Sequence, residues 1–97
     1  MNDSSDSVKR FLDADGKVTR WPARRHVQRD QKAILDYLIG KFERDVIYSE
    51  KEVNAILNTW HTFGDWALLR RELYDHEYLD RTPDGKQYWL RKPHAAE

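Results

Sequence analysis

The stretch YSEKEVNAILNTW, residues 48–60, constrains the fold more tightly than any other part of the chain. Ser49 followed three residues later by Glu52 is the capping-box pattern, in which hydroxyl and carboxylate each satisfy a backbone N–H at a helix start. Val53, Ile56, Leu57 and Trp60 then recur at i, i+3, i+4 and i+7, which gives a short helix one apolar face to bury. A helix of this length is marginal alone in water, so it needs neighbours to pack against. The next residues, HTFGD, supply the first of them: Gly64 frees the backbone to turn and Asp65 caps a new helix over about residues 65–76. Trp66, Leu69 and Leu73 fall in one sector of that helix and mark its core face.

The flanks complete the pattern. Upstream, Val8, Phe11, Leu12, Val18 and Trp21 surround Asp13-Ala14-Asp15-Gly16, which predicts a short hairpin. Pro22 suits a first helical turn, and a helix is predicted from about Ala23 to Phe42. Val27, Ile34, Leu38 and Phe42 lie near one of its faces, with Ala33 and Tyr37 beside it. Downstream, YLDRTPDGKQYWL places two strands about a Thr-Pro-Asp-Gly turn, with Tyr88 and Leu90 on one side and Trp89 on the other. Residues 1–7 and 93–97 are expected to be disordered tails around one domain, 8–92. The order predicts an α+β, winged-helix-like domain: three helices with an N-terminal hairpin and a C-terminal β-hairpin wing.

Composition narrows the functional classes. The chain has 97 residues, enough for one modest core, and four Trp, five Tyr and three Phe give that core bulk. There is no cysteine, so disulfides, thiol nucleophiles and Cys-based zinc sites are excluded. No apolar run approaches the roughly 20 residues needed to span a bilayer, and the polar, acidic start MNDSSDSVKR lacks the apolar segment of a secretory signal. A soluble cytoplasmic protein with no membrane partner is the expectation. Glycines are isolated rather than gathered into a phosphate loop, and no His pair has metal-ligand spacing, so no enzyme activity, metal or cofactor is expected. His61 and Asp65 are expected to hydrogen-bond locally and fix the turn between the two short helices.

Several pieces of the chain together resemble a bacterial family known only as a domain of unknown function: WPARR, YSEKEVNAIL, the HTFGD turn, LLRREL and DRTPDGKQYW. The resemblance covers about residues 10 to 92. It implies a winged-helix-like fold and, since such domains occur alone or fused to helix-turn-helix transcriptional regulators, a role in regulation. The family usually shows Gly where this chain has HEY. Glu77 therefore stands where a residue suited to a left-handed C-cap is usual, and a less sharply terminated helix is expected there.

Two functions remain open: DNA binding, and a protein-interaction or homodimerisation domain that keeps the fold without the DNA chemistry. Net charge is zero, with 17 basic and 17 acidic residues, so a strong non-specific polyanion binder is disfavoured. The distribution is uneven. Residues 16–32 carry Lys17, Arg20, Arg24, Arg25, Arg29 and Lys32 against Asp30 alone. That segment is the first candidate for phosphate contact. The helix expected to read DNA carries Arg70 and Arg71, but residues 65–81 hold three basic and five acidic groups. Guanidinium groups match phosphates and guanine edges, and the bland alternatives are an ion pair from Arg71 to Asp75 and stacking of Arg70 on an aromatic ring. Helical phase points Arg71 outward and sets Arg70 on the flank. Lys86 and Arg91 would contact phosphate from the wing.

Overall fold

Among the described residues three helices have a full range, each with an apolar face to bury, and the second and third begin on side-chain caps. The computed structural model describes residues 8–23 and 27–91. Helix α1 spans Gln28–Ile39, strand β1 Tyr48–Ser49, α2 Glu50–Thr59, α3 Trp66–Asp75, β2 Leu79–Arg81 and β3 Gln87–Leu90. The capping box is present: the Ser49 N–H donates to Glu52 Oε1 at 2.8 Å and the Glu52 N–H to Ser49 Oγ at 3.0 Å. Asp65 caps α3 by accepting from the Leu68 N–H at 3.2 Å.

The sheet is antiparallel in the order β1–β3–β2, with Tyr48 opposite Tyr88, and Leu79, Asp80 and Arg81 opposite Leu90, Trp89 and Tyr88. Among the described residues, these helices and this sheet make an α+β fold. Its order of helix, strand, two helices and hairpin is compatible with a winged helix. The predicted wing is present, and β1 joins it as a third strand. At two residues, β1 is too short to leave an alternation pattern in the sequence.

Helix α1 buries Ala33, Ile34, Leu35 and Leu38, a face broader than one narrow stripe. Val53 and Leu57 of α2, Leu69 and Leu73 of α3, and Leu79 and Tyr88 of the sheet form one buried cluster with these residues, joined by Phe11, Val18 and Phe42. Each fully buried aliphatic side chain contributes about 1.5–3 kcal/mol, so this set accounts for the fold's cohesion.

Two expectations about the N-terminal part are corrected. The hairpin is a single bridge, Leu12 to Val18. Its turn is tied locally, with Asp13 Oδ1 accepting from the Asp15 and Lys17 N–H groups at 2.9 Å each. Val18 turns away to pair in parallel with His61, donating to Trp60 O at 2.8 Å and accepting from the Thr62 N–H at 2.9 Å. The strand-like segment thus straps the α2–α3 turn instead of extending a hairpin. Helix α1 also begins at Gln28 rather than near Ala23. Pro22 is buried outside it, its carbonyl accepting from Gln31 Nε2 at 2.6 Å.

The end of α3 is sharper than expected. The Tyr78 N–H donates to Leu73 O at 2.8 Å and the Glu77 N–H to Tyr74 O at 3.0 Å. This is the paired Schellman closure, and Glu77 adopts the left-handed φ of 68° that it requires.

Candidate functional site

The turn between α2 and α3 decides how α3 is presented. His61 is buried there, its Nδ1–H donating to Leu57 O at 2.6 Å and its Nε2 accepting from the Asp65 N–H at 2.9 Å. Both ring nitrogens are thereby occupied, which fixes one neutral tautomer. The local bond foreseen between His61 and Asp65 exists, through the backbone of Asp65. Phe63 packs edge-on against the ring at 4.7 Å.

The two adjacent arginines of α3 have opposite surroundings. Arg70 turns toward α2, where its Nη1 donates to Asn54 Oδ1 at 2.6 Å and lies 3.1 Å from Glu50 Oε2. Its guanidinium also lies 5.4 Å from the centre of the Trp66 ring, and its side chain is only 20% exposed. Arg70 therefore braces α3 against α2. Arg71 is exposed and forms no ion pair among the described residues, so the expected bridge to Asp75 is absent.

Arg71 opens on a cleft of about 340 Å³ between α3 and the wing, lined by Ala67, Arg70, Arg71, Tyr74, Asp75, Arg81 and Tyr88. Arg81 comes from β2, and its guanidinium lies 4.4 Å from the centre of the Tyr74 ring. Hydrogen bonding with Tyr74 first, and Tyr88 second, holds it charged more firmly than usual. On the wing turn, Gly85 has a left-handed φ of 72°, and a Cβ built there would stand 3.4 Å from Arg81 Nη1.

Sequence reasoning missed Arg81. The signal was present, because a Thr-Pro-Asp-Gly turn sets the register that places residue 81 opposite Tyr88, on the side of the wing that faces α3. The wing tip is held by Asp84, whose Oδ1 accepts from the Thr82 hydroxyl at 2.6 Å and the Lys86 N–H at 3.0 Å. The Thr82 bond leads in keeping the Asp84 carboxyl below its usual range, with the Lys86 N–H second. Lys86 is exposed on this tip.

The remaining candidates lie elsewhere or are engaged. Arg20 sits 4.6 Å from the centre of the Phe11 ring, Lys32 pairs with Asp36 at 3.2 Å, and Asp30 is taken by Arg10 at 2.6 Å. Arg29 is exposed, and Arg24 and Arg25 lie outside the described residues. None of Arg20, Arg29 and Lys32 lines the α3–wing cleft, and Arg91 lines a different one. Among the described residues no helix is long and apolar enough to cross a membrane.

Among the described residues the fold is a small α+β domain with a β-hairpin beside its last helix. Residues 17–90 match the family described as "Uncharacterized protein conserved in bacteria (DUF2087)", and the chain belongs to that family. Neither a curated protein nor a solved structure matches it.

Proposed function

We propose that the domain binds DNA through the α3–wing cleft, as a non-enzymatic module of bacterial transcription regulation. The observation that supports this most is the state of Arg71 and Arg81: both residues line one cleft and neither has a carboxylate partner among the described residues. Arg71 on the helix would reach a base edge or phosphate, while Arg81 and Lys86 on the wing would hold the adjacent phosphates. Arg70 contributes indirectly, by fixing the angle of α3 on α2.

A second reading, a protein-interaction or homodimerisation domain that keeps the fold without binding DNA, draws support from Asp75. Its carboxylate lines the same cleft and would repel phosphate. Binding to random and genomic DNA fragments across a salt series tests the two. DNA binding predicts affinity that falls steeply with salt, and replacement of Arg71 or Arg81 by Ala should reduce the slope by about one contact each. Absence of binding at low salt, with a dimeric mass in solution, would establish the second reading instead.

A further inference from the structure

A second cleft, of about 420 Å³, lies between the end of α1, the α3–β2 junction and the end of β3. This is within the roughly 300–1,000 Å³ typical of small-molecule sites. Its walls are apolar, from Ile39, Phe42, Leu90 and the Tyr78 ring, and its charged groups are Arg44, Glu77 and Arg91. None of these three takes part in an ion pair among the described residues.

The cleft is rigidly framed. Tyr78 is tied at its N–H to Leu73 O at 2.8 Å, at its carbonyl by the Arg91 N–H at 3.0 Å, and at its hydroxyl to Asp36 Oδ1 at 2.5 Å. The two non-glycine residues with left-handed backbone among those described are Glu77 itself, at φ 68°, and Asp45, at φ 63°, next to Arg44. Such conformations carry strain in a side-chain-bearing residue and cluster at ligand clamps. Glycine would close α3 at position 77 with less strain, but only a longer side chain places a carboxylate in this cleft.

We propose that this cleft binds a free α-amino acid with an apolar side chain. The ligand carboxylate pairs with Arg44 and Arg91, its ammonium with Glu77, and its side chain lies between Phe42, Ile39 and Leu90. The charges select this class. A simple cation is repelled by the two arginines and a simple anion leaves the Glu77 carboxylate unpaired, whereas a zwitterion is matched at both ends. The site is separate from the α3–wing cleft and stands whether or not that cleft binds DNA.

Isothermal titration of the full chain with L-phenylalanine and L-leucine tests the proposal. Saturable binding is expected, with N-acetyl-L-phenylalanine and L-phenylalaninamide each weaker by about ten-fold or more, the loss of one charge-assisted contact. Glu77→Gly separates a ligand role from a structural one, because the two effects have opposite signs. It should raise Tm by roughly 4–8 °C by relieving the backbone, yet weaken L-phenylalanine by about ten-fold or more. Arg44→Ala and Arg91→Ala should weaken it similarly without changing the fold. Equal affinity for the acetylated ligand, unchanged affinity in Glu77→Gly, or no saturable heat with either amino acid at about 10 mM would overturn the assignment.

Discussion

The two sides of α3 differ in how their polar groups are satisfied. Toward α2, Arg70, Asn54, Glu50, His61 and the Asp65 N–H form bonds of 2.6–3.1 Å with one another or with nearby backbone. Toward the wing, Arg81 lies against the Tyr74 ring, Arg71 is exposed, and neither has a carboxylate bound to it among the described residues. Groups that already have partners hold a structure together, whereas charged donors without anionic partners are available to a ligand. The lesson is that two adjacent arginines of one helix cannot be assigned one role from their sequence, since a rotation of about 100° along the helix separates them.

The largest expected effect is on the bonded side. His61→Ala removes both partners of the α2–α3 turn and should cost about 2–4 kcal/mol in chemical denaturation, since Leu57 O and the Asp65 N–H lose their partners in a buried place. The next effect belongs to the wing side. Arg71→Ala should weaken DNA binding by about 1–3 kcal/mol and alter sequence preference, while stability stays within about 0.5 kcal/mol of the parent protein. Arg70→Ala should show the reverse, losing about 1 kcal/mol of stability, because its ion pair is partly exposed but its bond to Asn54 is well formed. If Arg70→Ala weakened DNA binding as strongly as Arg71→Ala without loss of stability, the contrast between the two sides would collapse.

The smallest effect lies at the edge of the second cleft and depends on pH. Burial first, and the bond to Asp36 second, push the Tyr78 hydroxyl above its ordinary value of 10.0. A raised acid of this kind favours the native state while it stays protonated. Its contribution is therefore fully present below pH 10 and is lost as pH rises through the titration of the folded state. Alkaline unfolding followed by circular dichroism should show a steeper loss of stability above pH 10 for the parent protein than for Tyr78→Phe. Equal slopes would remove Tyr78 from this account.

Several features were legible because they rest on local chemistry. The Ser49–Glu52 box, the Asp65 cap and the Thr82–Gly85 turn each satisfy backbone groups within a few residues. The alternation around Tyr88 and Leu90 likewise needs only the sheet's period of two. The role of His61 as a fixture of the turn followed from the same short range. The left-handed closure at Glu77 was misjudged because residue preference weakens a C-cap but does not forbid it: two hydrogen bonds and the packing of Tyr78 hold the geometry.

By itself the sequence determined the order and type of the main elements, the hydrophobic faces of the helices and the identity of the caps, since all of these arise from periodicity and neighbouring residues. Only the tertiary structure decided that Val18 pairs with His61, that Arg70 is engaged by α2, that Arg81 joins Arg71 across a cleft, and that Arg44, Glu77 and Arg91 meet around an apolar trough. Residues from 10 to 47 positions apart come together in these contacts. Their meeting is fixed by how α1, α3 and the sheet pack around one core, which no local pattern encodes.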